Sequence, residues 1–342
     1  MYRKRQKMSV ANIGATILAA FVGAIVVPMP MQSQQVTINP ENRAVRDEAD
    51  RLLDVGYTQL KDGKPREAIK TWLYAIGYYR RVNDQAAISY TLARVSDAYE
   101  LLGASNAAQD TSRQRIGYAN TLQDNGAKLE SSNNLVSFEI AQGKLESASK
   151  LNKATLELST QNEQGLNTAI ALNNKGLIAE RYGNHLEALK QYYASIKVHP
   201  IREAIGEGYT YVNSGDSLMA LDNYKAAITD YGMALTIARQ HRNYKLMSVA
   251  SDRIIAAYLE VPNFYRIEEL LQNRSSLALV MGDRETASIV QRYLGDLYLS
   301  FGNLPKARAA YQESYDFAAM LGDNTSLPLR EAYYKLQELE RL

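Results

Sequence analysis

Apolar residues recur at helical spacing along most of the chain. In "LGDLYLSFGNLPKARAAYQESYDFA", Leu294, Leu297, Tyr298 and Phe301 fall on one face of a helix that stops at Gly302. Ala307, Ala310, Tyr311 and Ser314 fall on one face of a second helix that starts just beyond it. No stretch alternates with a sustained period of two, so the pattern predicts helices and no sheet.

The same break recurs in "KDGKPREAI", "LLGASNAAQ", "AQGKLESAS", "RYGNHLEAL", "LDNYKAAIT", "VPNFYRIEE" and "FGNLPKARA". Its turn residues are Gly63, Gly103, Gly143, Gly183, Asp222, Pro262 and Gly302, spaced 40, 40, 40, 39, 40 and 40 apart. Chance does not hold such a register, so the body is predicted to be one unit in seven copies. A small residue follows each turn by five: Ala68, Ala108, Ala148, Ala188, Ala227 and Ala307, with Ile267 the exception. Gly56, Gly176, Gly215 and Gly295 precede the turn by seven, and Trp72, Tyr192, Tyr231 and Tyr311 follow it by nine. This arrangement predicts a helical hairpin. The turn residue ends the first helix, the small residue admits the second helix closely, and the aromatic ring fills the gap.

"LGDLYLSFGNLPKARAAY" and "NNKGLIAERYGNHLEALKQYYASIKVHP" resemble the tetratricopeptide repeat (TPR) family, with Pro200 where that family often ends a unit. The resemblance covers residues 46–322. A forty-residue unit resembles the long-helix variant of kinesin light chains and some bacterial peptide receptors, since the usual unit has about 34 residues. Ser112, Asn152 and Leu271 stand where an aromatic is expected, and Lys175 where a Leu is, so units two, three and six rest on register. The resemblance implies an all-α, right-handed TPR-like solenoid of seven hairpins, whose first helices line a concave groove. "TSLPLREAYYKLQELERL", within residues 323–342, reads as a capping helix. The opening of the body also resembles exported cyanobacterial TPR proteins, including the photosystem II assembly kind.

Nine residues before the successive turns stand Asp54, Arg94, Asn134, Asn174, Asn213, Arg253 and Tyr293. Positions thirteen, nine and six before a turn share one helix face. An Asn amide both donates and accepts hydrogen bonds. Long-unit TPR proteins use an asparagine ladder, which implies that Asn134, Asn174 and Asn213 clamp the main chain of a peptide. Tyr90, Arg94, Asp97, Ser137, Leu177, Tyr209, Asp216, Arg253 and Asp296 would then read its side chains, with Tyr90 and Tyr209 as aromatic anchors. The competing reading is that the asparagines cap or solvate helices, or bond between neighbouring helices.

The N-terminal segment changes the picture of location. Arg3, Lys4, Arg5 and Lys7 precede an apolar run from about Ala15 to Val27, then Pro28 and Pro30. Residues 1–33 therefore read as a secretory signal peptide or an N-terminal anchor, and residues 34–45 as a linker. The body is expected outside the cytoplasm, in the periplasm, with membrane association through this segment or through a membrane-protein partner. Without residues 1–33 the net charge of +2 becomes about −2, which gives no electrostatic case for nucleic acid.

With no Cys, disulfides, thiolate metal sites and thiol catalysis are excluded. The three His show no metal-ligand spacing, "GEGY" at Gly206 and Gly208 lacks the context of a nucleotide loop, and no Ser sits in a nucleophile elbow. No catalytic residue and no cofactor are expected. Asp97, Glu100, Glu180, Asp216, Asp252 and Asp296 offer oxygen ligands for hard cations, but scattered acids on helices rarely close a site. The expected function is an exported scaffold that binds a partner protein or peptide and assists assembly of a complex. A second reading, from the resemblance, is a photosystem II biogenesis factor that also binds Mn²⁺. A third is a membrane-anchored subunit with a purely structural role.

Overall fold

A computed structural model describes residues 40–198, 205–322 and 326–341. The export segment expected at residues 1–33 lies outside them. The described residues form fifteen α-helices and no strand. The chain divides at Pro200 into two compact units.

The first unit stacks four antiparallel hairpins. They are α1 (Pro40–Lys61) with α2 (Pro65–Arg81), α3 (Gln85–Leu101) with α4 (Ser105–Leu122), α5 (Asn125–Ala141) with α6 (Leu145–Gln161), and α7 (Gly165–Arg181) with α8 (His185–Val198). The second unit stacks three: α9 (Ile205–Ala220) with α10 (Tyr224–Gln240), α11 (Tyr244–Glu260) with α12 (Phe264–Val280), and α13 (Arg284–Ser300) with α14 (Leu304–Ala319). A closing helix, α15 (Leu327–Glu340), packs on α13 and α14. Of the predicted turn residues, Gly63, Gly103, Gly143, Gly183, Asp222 and Gly302 take left-handed backbone.

The sequence reading missed a second set of corners between the hairpins. Asn83, Gln123, Glu163, Arg242 and Gly282 are also left-handed, so the chain turns about every twenty residues. Each corner closes in the same way. The N–H of the residue after it bonds to the carbonyl five positions back, as Lys64 does to Gln59 and Asp84 to Tyr79, both at 2.9 Å. This is the Schellman closure, which satisfies carbonyls that a helix end leaves open. At several corners the next residue then caps the following helix through its side chain: Asp84, Asp124, Asn243, Asp283 and Asn303 accept from the amide three positions on. The sixth hairpin departs from the rule. Pro262 cannot take positive φ and has no N–H, so α11 ends at Glu260 with Val261 as its C-cap at φ −120° and no left-handed corner.

Four of the hairpins are locked by a glycine and an aromatic sixteen residues apart. A Cβ built on Gly56 would lie 2.2 Å from the Trp72 ring, and one on Gly176, Gly215 or Gly295 would lie 2.3–2.4 Å from Tyr192, Tyr231 or Tyr311. All four rings are fully buried. Where the aromatic is missing, the glycine is missing too, and the pair becomes Ser96 with Ser112, Val136 with Asn152, or Ile255 with Leu271. Ser96 and Ser112 hydroxyls bond at 3.1 Å, and the Asn152 amide donates to the Ala171 carbonyl of the next hairpin at 3.0 Å. The residues five after each turn are buried as predicted, Ile267 included.

First helices also touch first helices, as α5 does α7, α9 does α11, and α13 does α15. The side chains that meet along these seams form the inner face of each stack.

Candidate functional site

The inner face of the first unit brings three predicted residues together. The Tyr57 hydroxyl on α1 lies 2.7 Å from that of Tyr90 on α3. The Arg94 guanidinium sits over the Tyr90 ring, 5.7 Å from its centre, and pairs with Asp97 at 3.2 Å. Next to them, Arg115 on α4 pairs with Glu130 on α5 at 2.8 Å. Burial pushes the Asp97 carboxyl upward against the pull of Arg94, and Glu130 adds to the push. Glu100, one turn along α3, is raised to about 8, first by burial and then by Asp97. Tyr57 is raised by burial and by its bond to Tyr90. The result is a half-buried cluster of rings and charges whose burial weakens solvent screening of the charges.

Spacing alone could have found two of the residues that were missed. Tyr57 stands six before its turn, and Glu130 thirteen before, both on the predicted face. Arg115 lies off that register and becomes visible only through packing, and Glu100, expected only as an oxygen ligand for a cation, joins the cluster through its burial beside Asp97.

The asparagines divide. Asn174 is only 1% exposed, so the expectation that it faces a peptide is corrected. Its amide donates to the Asn133 carbonyl at 3.4 Å, and its side-chain oxygen accepts from Ser137 at 3.3 Å. Asn133, also buried, donates to the carbonyl and side chain of Asn167 at 3.2 and 3.3 Å. The direct contact of α5 with α7 turns this position into the seam, where the amides stitch two hairpins together. Asn134 is half-buried and makes no side-chain hydrogen bond to another described residue. Ser137 is spent in the seam, and Leu177 packs at the edge of the Val136, Ile140 and Ile178 core.

In the second unit, Asp216 on α9 accepts from the Tyr231 hydroxyl and pairs with Arg253 on α11, each at 2.7 Å. Burial raises the Asp216 carboxyl, and Arg253 and Tyr231 oppose the rise. Asp252 on α11 holds Arg274 on α12 through two contacts of 2.8 and 3.3 Å. Asp296 on α13 accepts from Tyr311 at 2.7 Å and pairs with Arg292 at 3.4 Å and with Lys335 at 3.3 Å. Asn213 is half-buried on α9. Tyr209 is 5% exposed, which corrects its expected role as a surface anchor; its ring is packed inside and its hydroxyl is raised by burial. These carboxylates are internally paired, so a partner must compete for them.

Among the described residues, no three of His, Cys, Asp and Glu come together in a way that could hold a metal ion. No described helix is long and apolar enough to cross a membrane.

Residues 128–200, which hold hairpins three and four, match the tetratricopeptide repeat family profile. No curated protein matches the chain in sequence. Several solved structures share its fold. A signal-transduction ATPase with numerous domains and a tetratricopeptide repeat sensor, from Pyrococcus horikoshii, is 16% identical with a TM-score of 0.64. That match covers 88% of this chain but 44% of the other, so this chain spans less than half of that protein. The Rap conjugation gene regulator of plasmid pLS20, in complex with the Phr* peptide, is 13% identical with a TM-score of 0.56, over 92% of this chain and 81% of that one. The apo quorum sensor NprR from B. thuringiensis is 15% identical with a TM-score of 0.56, over 81% and 80%. At these identities the likeness is one of fold: stacked hairpins of the tetratricopeptide kind.

Proposed function

We propose that the chain is an exported, non-catalytic scaffold that binds a segment of a partner protein on the inner face of its hairpin stacks and assists assembly of a complex. The observation that carries the reading is the half-buried cluster of Tyr57, Tyr90, Arg94 and Asp97 in the first unit, with half-buried Asn134 on the next hairpin at the register position of Arg94. Rings supply contact area at small entropic cost, the ion pair supplies a charge that a partner can exchange, and Asn134 offers an amide with no competing bond among the described residues. The fold likeness to a Rap regulator in complex with a peptide supports the same reading. Export is supported by the basic-then-apolar composition of residues 1–33.

The test is a peptide library screened against the purified chain, with Asn134→Ala and Arg94→Gln compared with the parent. Among the described residues Asn134→Ala removes no side-chain hydrogen bond, so weaker binding at unchanged helix content reports contact with the ligand. Equal binding by both variants would remove the first-unit face from the reading.

A further inference from the structure

The outer side of α2 differs from that of the other second helices. At 100° per residue, Arg66, Lys70, Leu73, Tyr74, Gly77, Arg80 and Arg81 fall within an arc of about 120°, and all seven are exposed. Leu73 and Tyr74 are 47% and 59% exposed. One acid, Glu67, borders the arc. Among the described residues, the four cations have no carboxylate within ion-pair distance, and Arg81 stacks over the Tyr78 ring at 5.5 Å instead. On the other second helices outer cations are fewer. Arg113, Lys190 and Arg266 pair with Asp110, Glu187 and Glu269, while Lys150 and Lys153 on α6 and Lys225 and Arg239 on α10 are exposed without an ion pair among the described residues. Helix α2 stands apart by carrying four together around two large apolar side chains.

Four unpaired cations on one face repel each other, and two large apolar side chains among them stand in water. An anionic bilayer answers both features. Its phosphates take the guanidinium and ammonium groups, and Leu73 and Tyr74 enter the boundary between headgroups and acyl chains. An acidic protein or a nucleic acid would meet the charge but leaves the apolar pair less well placed. Chain order agrees. The apolar run expected to enter a membrane ends at Val27, and α1 begins at Pro40. In the reading of that run as an anchor, the stretch between them can reach at most about 45 Å, which keeps the first hairpin near the surface.

We propose that the outer face of α2 docks on an anionic membrane surface. The proposal is independent of the partner-binding reading, which uses the opposite side of the hairpins.

The chain has no Cys, so Gly77→Cys gives a unique attachment point for an environment-sensitive fluorophore. No atom lies within 4 Å of a Cβ at Gly77, nor at the exposed Gly117 of α4, so Gly117→Cys serves as the matched control. The full chain carrying either label is mixed with vesicles of phosphatidylcholine containing phosphatidylglycerol, or of phosphatidylcholine alone. The label at position 77 should shift to the blue on the anionic vesicles and return at high salt, while the label at 117 stays unchanged. Each cation near such a surface contributes roughly fivefold to partitioning. The combined Arg66→Glu, Lys70→Glu, Arg80→Glu and Arg81→Glu variant should therefore bury the label at 77 more than tenfold less readily. Leu73→Ser with Tyr74→Ser should weaken binding while its salt dependence remains. Helix content measured by circular dichroism confirms that each variant is folded. Equal shifts at 77 and 117, or an unchanged response in the charge-reversed variant, would overturn the proposal. An equal shift with a short DNA duplex or polyglutamate in place of vesicles would also overturn it and assign the face to that class of polyanion.

Discussion

Replacing Gly215 by alanine places a methyl group 2.3 Å from Cε1 and 2.6 Å from Cδ1 of Tyr231. Contacts that short force a rearrangement. The ring cannot swing aside freely, because it is fully buried and its hydroxyl is held by Asp216, which is in turn paired with Arg253 on the neighbouring hairpin. Overpacking of this kind costs about 1–3 kcal/mol, and loss of the hydroxyl bond adds about 1 kcal/mol. Alanine regains about 1 kcal/mol through its better helix propensity. The expected net loss is about 1–3 kcal/mol. Gly232, on α10, provides the control: no atom lies within 4 Å of a Cβ there, so Gly232→Ala should gain up to about 1 kcal/mol. The two substitutions are chemically identical and opposite in expected sign. Urea titration by circular dichroism reads the sign, and native-state hydrogen exchange localises it to α9 and α10. Adding Tyr231→Leu to Gly215→Ala should cost less than the sum of the single changes, because Ile255 with Leu271 shows the chain using an aliphatic pair at the same two positions. If Gly215→Ala matches or exceeds the parent in stability, the interlocked pair is not what sets the hairpin spacing.

Three further outcomes are expected. Asn174→Ala should destabilise the chain by about 1–3 kcal/mol, since it leaves buried partners unpaired, whereas Asn134→Ala should stay within about 0.5 kcal/mol in the same denaturation assay. Glu100 loses its proton near 4.5 when unfolded and holds it to about 8 when folded, so between those values the native state binds more protons. Its contribution to stability is therefore full at low pH and is lost as pH rises through that window; urea midpoints across it should fall less steeply in Glu100→Gln than in the parent. At the left-handed corners, Gln123→Gly should raise stability by up to about 1 kcal/mol and Gly143→Ala should lower it by about as much, read as shifts in urea midpoint.

The hairpins were readable because their marks are local and repeated. Gly63 and Gly103 announce a corner, and Gly176 with Tyr192 announces a close approach. The corners between hairpins were harder to see. Asn83, Gln123, Glu163 and Arg242 are different residue types in one backbone state, so no single letter recurs. Their capping neighbours, Asp84, Asp124 and Asn243, carried the better signal. The inner face was half legible. Periodicity put Tyr90, Arg94 and Asp97 on one face, where they do meet. It could not tell Asn134 from Asn174, because the difference between a wetted amide and a buried one lies in how α5 rests on α7, and that contact joins residues some forty positions apart.

The interlocked glycine–aromatic pairs have a consequence for how such a chain can change its length. Plug and socket, such as Gly176 and Tyr192, lie inside one forty-residue module. A cut at Asn83, Gln123 or Glu163 therefore hands both halves to the same descendant, while a cut at Gly63 or Gly183 parts them. Duplication, loss or shuffling of modules would be tolerated at one class of bend and punished at the other. The joints of the array are thus of two kinds, although the backbone bends the same way at both.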